Sequence, residues 1–187
     1  MFDYDNTSNI YSTITDLSNR TTGAHNFLAG TNAGCSITSG SFNNFLSQSS
    51  GQENTTGSYN NFFGKESGSN NTTGSNNNFF GHVAGLCNTT GGCNNFFGIN
   101  AGRENTTGSD NNFLGQNAGR YNTTGSNNNF IGRRSGCANT TGIRNNFIGH
   151  YAGRNNTTGN YNNYFGFRAG QGASWIVTGK QIGRAHV

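Results

Sequence analysis

Proline is absent from the 187 residues, methionine and tryptophan occur once each, and cysteine four times. Charged residues make up 10% and apolar residues 30%, against roughly 25% and 45–50% in an ordinary globular domain. Alanine, leucine, glutamate and lysine, which helices need, are scarce, and that excludes a helical bundle or an α/β enzyme. Collagen is excluded by the missing proline and by glycines that do not recur at every third residue. No stretch approaches the ~20 apolar residues of a membrane helix, so no membrane span is expected. No apolar signal-peptide core opens the chain either. What is present is 30 glycines, 35 asparagines, 15 phenylalanines and 7 tyrosines. So many aromatic rings do not belong to a chain with nothing to bury, and disorder is set aside. The net charge is +4, and the 11 basic residues are spread thinly along the sequence. They read as ordinary solubility charge, and no nucleic-acid partner is expected. Arg103, Arg120 and Arg154, spaced at multiples of 17, make a modest basic stripe that reads as a solvated face first and as a contact for anionic sugars second.

Internal repetition governs the rest. Seven segments (54–70, 71–87, 88–104, 105–121, 122–138, 139–155 and 156–172) align without a gap on the 17-residue consensus N-T-T-G-S-x-N-N-F-[FLI]-G-x-x-[AS]-G-x-x. Weaker copies at 20–36 and 37–53 make nine units in all. A unit this short and this poor in helix formers cannot hold paired helices. Its glycines at the fourth, eleventh and fifteenth positions read as turns between short extended runs, with N-N-F-F and the stretch around N-T-T as strand candidates. The expected fold is all-β: a parallel β-solenoid, or β-roll, with one coil per repeat and about nine coils. At a strand spacing of roughly 4.7–4.9 Å the rod would be on the order of 40 Å long.

In such a stack Asn60, Asn77, Asn94, Asn111, Asn128, Asn145 and Asn162 form an amide ladder, each coil satisfying the next. Adjacent side chains on a strand point to opposite faces. One aromatic column is Phe62, Phe79, Phe96, Phe113, Phe130, Phe147 and Tyr164; its neighbour is Phe63, Phe80, Phe97, Leu114, Ile131, Ile148 and Phe165. One of the two fills the interior with the alanines near the end of each repeat. The other runs along the outside, unless the next glycine bends the chain and tucks both in. An outside stripe of that length calls for self-association, with a homotrimer the natural way to bury it.

The run N-N-F-[FLI]-G-x-x-A-G, closest in Phe147–Gly153 (F-I-G-H-Y-A-G), resembles the coil motif of trimeric autotransporter adhesin heads. Repeats of this form are also similar to arrays in bacterial surface proteins and in phage-type tail fibres. The resemblance covers Arg20–Gly172 and departs in a coil longer than that of the adhesin heads. It implies a trimeric parallel β-roll outside the cell, on a cell surface or virion, with a host glycan or protein as partner. The same stretch touches the hexapeptide pattern of β-helix acyltransferases. Those enzymes carry a hexad on every side of the coil, and this chain offers one.

No catalytic constellation and no cofactor site stand out. His82 and His150 share a column four coils apart, and Glu53 and Glu104 share another three coils apart. At strand spacing these gaps exceed the reach of a shared metal and of a glycosidase pair. Cys35 and Cys137 lie six coils apart, and Cys87 and Cys93 flank one turn, so free thiols are expected. The N-T-T of each clean repeat is a glycosylation sequon, which makes Asn54, Asn71, Asn88, Asn105, Asn122, Asn139 and Asn156 candidate glycosylation sites. The favoured reading is that they cap turns and stack. Thr55, Thr72, Thr89, Thr106, Thr123, Thr140 and Thr157 would form an outward threonine ladder. Three functions follow: a non-catalytic adhesive fibre segment, which leads; an ice-binding solenoid built on the threonines; and a carbohydrate-processing β-helix enzyme, the least supported.

Three segments are expected. Residues 1–19 depart from the repeat and read as a cap or a preceding segment, 20–172 are the solenoid, and 173–187 are a remnant. Ile182–Val187 (I-G-R-A-H-V) equals the translated start of a common short-read sequencing adapter. The natural chain is therefore expected to have been cut during assembly of environmental DNA and to continue beyond Gln181.

Overall fold

The computed structural model describes Asp3–Tyr4, Ile10–Ser12 and residues 23–170. Each repeat contributes one strand of three residues. After β1 (Asp3–Tyr4) and β2 (Ile10–Ser12) come β3 (Phe27–Ala29), β4 (Asn44–Leu46), β5 (Asn61–Phe63), β6 (Asn78–Phe80), β7 (Asn95–Phe97), β8 (Asn112–Leu114), β9 (Asn129–Ile131), β10 (Asn146–Ile148) and β11 (Asn163–Phe165). They form one sheet in chain order. From β2 onward every pair is parallel with partners 17 residues apart, as in Phe62↔Phe79. Parallel neighbours need a long connection, and the rest of each coil supplies it. The chain is thus an all-β parallel β-solenoid with one coil per repeat, the architecture that the repeat length predicts, and no helix occurs among the described residues.

Strand β1 runs antiparallel to β2. Strand β2 meets β3 at the same 17-residue step, so the stack reaches one coil further back than Arg20. The rest of the 1–19 segment, and the 173–187 remnant with its adapter-like end, lie outside the described residues.

The middle residue of each strand fills the coil. Phe45, Phe62, Phe79, Phe96, Phe113, Phe130 and Phe147 are fully buried, with Leu28 and Tyr164 at the two ends of the column. Their rings stack at 4.7–4.9 Å between centroids and within 5–8° of parallel. That distance is the strand spacing itself. Ala84, Ala101, Ala118, Ala152 and Ala169 share this interior. Where serine takes their place, as Ser50, Ser67 and Ser135, the hydroxyl donates to a phenylalanine carbonyl at 2.7–3.0 Å, so the polar atom is not left unpaired.

Asparagine forms the polar lining. Asn60 Nδ2 donates to the Gly74 carbonyl (2.9 Å) while Asn60 Oδ1 accepts from the Asn77 backbone N–H (3.0 Å), and both bonds cross to the following coil. Asn71 Nδ2 donates to Asn54 Oδ1 (2.7 Å) and to the Gly74 carbonyl (2.9 Å). A third, half-buried ladder runs outside through Asn61 and Asn78 (2.8 Å).

Two features of the coil differ from the sequence reading. The N-T-T stretch is not a strand; Thr55 N–H, Thr55 Oγ1, Thr56 N–H and Gly57 N–H instead converge on the single carbonyl of Thr72 at 2.9–3.4 Å. The glycines also divide by role. Gly102 is left-handed (φ 56°), and a Cβ there would lie 2.4 Å from the buried Phe96 ring. Gly91 has no positive φ, but a Cβ would come within 2.3 Å of the Gly108 carbonyl, so this column marks close approach between coils rather than a turn. Two further left-handed corners carry side chains, at Tyr59, Asn76, Cys93 and their equivalents, and at Glu66, Val83, Asn100 and theirs.

Candidate functional site

The strand alternation that sends Phe62 inward sends Phe63 outward. The column of Phe63, Phe80, Phe97, Leu114, Ile131, Ile148 and Phe165 lies on the outer surface, half-buried where neighbours overlap and open at Leu114 (38% exposed), Phe97 (41%) and Phe165 (48%). Phe63, Phe80 and Phe97 stack at 4.8 Å, so their ring faces cover one another and their edges look outward. The Asn61–Asn78 amide ladder flanks the stripe on one side; beyond the glycine on the other stand Ile99 and Phe167, both exposed. This apolar face continues through every clean repeat.

The threonines fall out differently from the expected ladder. Thr55, Thr72, Thr89, Thr106, Thr123 and Thr140 are half-buried, and each hydroxyl is spent on the carbonyl of the next coil at 3.0–3.1 Å. Thr157 is exposed. The outward column is the second threonine of each repeat, Thr56, Thr73, Thr90, Thr107, Thr124, Thr141 and Thr158. The two threonines do diverge, but the one that faces water is the one the sequence reading passed over.

The sequon asparagines Asn54, Asn71, Asn88, Asn105, Asn122 and Asn139 are fully buried, and Asn156 is half-buried. From Asn71 to Asn156 each Nδ2, the atom a glycan would need, donates two hydrogen bonds inside the stack, as at Asn105 (2.7 Å to Asn88 Oδ1, 2.9 Å to the Gly108 carbonyl). The folded coil therefore uses these amides as structural rungs and offers them to no glycan.

The described residues hold no group of three His, Cys, Asp or Glu side chains able to take a metal. All four cysteines are free; Cys35 and Cys93 are exposed, and Cys87 donates Sγ to Glu104 Oε2 (3.5 Å). Burial pushes the Cys87 and Cys137 thiols above their ordinary range; Glu104 adds to the shift at Cys87, while Arg120, Arg134 and Arg154 pull against it at Cys137.

Those three arginines belong to a feature wider than the Arg103, Arg120 and Arg154 stripe that the repeat period aligns. Arg134, Arg154 and Arg168 all lie over the Tyr151 ring, at 5.8, 5.1 and 5.9 Å, and His150 stacks on the same ring at 4.1 Å. Arg120 lies over Tyr121 at 4.9 Å. Residues 14 to 34 apart in sequence meet because the coil returns every 17. A second signal lay in the sequence: every carboxylate side chain occurs at or before Asp110.

No family model, curated protein or solved structure matches this chain.

Proposed function

We propose that the chain is a non-catalytic structural and adhesive rod, a segment of a cell-surface or virion fibre, whose copies associate through the Phe63–Phe165 column. The observation that carries this reading is the unbroken outward apolar stripe, parallel to the stack of coils and repeated at every strand. Soluble monomers rarely expose contiguous apolar surface on this scale. Closed symmetry about an axis parallel to the rod buries every copy's stripe at once, and three copies suffice. The similarity of N-N-F-[FLI]-G-x-x-A-G to adhesin-head and tail-fibre repeats agrees with both the trimer and an extracellular setting.

Sedimentation equilibrium over a wide concentration range tests it. A trimer or larger assembly is expected; a 19.9 kDa particle at every concentration overturns the reading. The ice-binding alternative has less support. The outward Thr56–Thr158 column is single, and the next exposed column, with Tyr59, Asn76, Cys93 and Asp110, is chemically irregular. Thermal hysteresis is expected to be absent, as is hydrolysis of a polysaccharide panel.

A further inference from the structure

Charge is sorted along the rod. Between Leu114 and Gly170 stand six arginines (Arg120, Arg133, Arg134, Arg144, Arg154 and Arg168) and no carboxylate side chain. Among the described residues, the lysine and the arginine of the preceding coils are each paired with an acid, Lys65 with Glu66 (3.6 Å) and Arg103 with Glu104 (3.5 Å). The six have no such partner.

Five of the six gather on one corner of the coil. Arg134 and Arg168 flank Tyr151 in one column, Arg120 and Arg154 stand in the next but two, and Arg133 lies beside Arg134 with its Nε on Gln116 Oε1 (3.2 Å). Tyrosine rings hold four of these guanidinium groups at 4.9–5.9 Å. A ring fixes the plane of a guanidinium without cancelling its charge, and it leaves the N–H fork free for an oxyanion. Within the same corner Arg120 Nε and His150 Nε2 are buried with no hydrogen-bond partner in the protein. Solubility alone asks for none of this order, since scattered and flexible lysines would serve.

We propose that this corner of the C-terminal coils binds an acidic polysaccharide, its carboxylate or sulfate groups taken by Arg120, Arg134, Arg154 and Arg168. Guanidinium forks match such groups two bonds at a time. The arginines recur at two-coil intervals along the stack, Arg120 with Arg154 and Arg134 with Arg168, so a linear polyanion laid along it meets a charge at regular steps. A polysaccharide fits better than a single-stranded nucleic acid. Bases need a free aromatic face to stack on, and here the Tyr151 ring is already faced by three guanidinium groups and an imidazole. The inference leans on the surface-fibre reading only for where such a polymer is met.

The test is calorimetric titration of the 187-residue chain with heparin, with polygalacturonate, and with an oligothymidylate of matched charge. Binding to at least one of the two polysaccharides is expected. Arg134→Gln with Arg154→Gln should weaken it by about tenfold or more, because two charged forks are lost, whereas Lys65→Gln should change it by less than about twofold. Should the double variant fail to fold, arginine modification by phenylglyoxal on the unaltered chain gives the same answer by mass spectrometry, with Arg134 and Arg154 protected by the polysaccharide and the exposed Arg144, which lies off this corner, not. The proposal is overturned by no binding to either polysaccharide, by oligothymidylate binding as tightly, or by losses or protection that do not follow these arginines. A monomeric chain that binds heparin through them overturns the fibre reading and keeps this one; assembled rods that ignore both polysaccharides do the reverse.

Discussion

Besides the Gly102 column, two left-handed columns that carry side chains set the demands on single residues. Glycine and asparagine enter that region at little strain, and a β-branched residue does not. Val83 nevertheless sits at φ 51°, where Asn100 and Asn117 stand one and two coils later. Strain of this kind costs about 1–3 kcal/mol. Val83→Asn should therefore leave the melting temperature unchanged or raise it, although replacing a buried valine by a polar residue normally lowers it. The paired threonines give a second contrast. Thr123 Oγ1 donates to the Thr140 carbonyl at 3.1 Å, while Thr124 faces water. Removing the hydroxyl with Thr123→Val should cost about 0.5–1.5 kcal/mol, and Thr124→Val should lie within about 0.5 kcal/mol of the parent, both read from chemical denaturation.

At the scale of the coil, stability is shared between neighbours, because each element touches only the ones before and after it. Phe113 illustrates this: it is fully buried, with Phe96 and Phe130 stacked on its two faces at 4.8 Å. Phe113→Asp buries an unpaired charge between two coils at a cost of ~3–5 kcal/mol, against ~5–15 kcal/mol for a whole domain. Thermal unfolding should move to much lower temperature as one transition; an unchanged curve would mean that the ring column contributes nothing. The register, the division of the aromatic positions into two columns and the Asn60–Asn162 ladder were legible in the sequence, since a period of 17 with N-N-F-F intact leaves little freedom in how strands align; which column faces inward was not. The corners were not. Tyr59, Glu66 and their equivalents adopt left-handed backbone without glycine, so a search for glycine misses them. The division between Thr55 and Thr56 was equally hidden, because it depends on four donors converging on the Thr72 carbonyl across the coil boundary. The basic corner was legible in half: the period of 17 already aligns Arg103, Arg120 and Arg154, but Arg134 and Arg168 fall three positions earlier in the repeat and join them only once the coil is closed over Tyr151.

For the whole molecule, the apolar stripe and the fold it stands on make separable demands. Phe62 and its column hold the coil together from inside, whereas Phe97 and Leu114 project outward with 41% and 38% of their surface open. Lysines at these two outward positions remain near water, and each long stem can lie along the neighbouring side chains with its ammonium solvated. Phe97→Lys with Leu114→Lys should therefore leave the β-rich circular dichroism spectrum of the single rod intact. In an assembly the same ammonium groups would be driven against other copies' apolar stripes and against each other, at a desolvation cost of several kcal/mol per charge. Sedimentation of this double variant should show monomers at concentrations where the parent is assembled, while a matched pair of lysines at Thr107 and Thr124, on the outward threonine column, leaves the parent's mass unchanged. If the stripe variant sediments like the parent, copies meet through another face, and the Phe63–Phe165 column is merely tolerated surface. If both variants fall apart together, added positive charge alone separates the rods, and the basic C-terminal coils rather than the stripe govern their association.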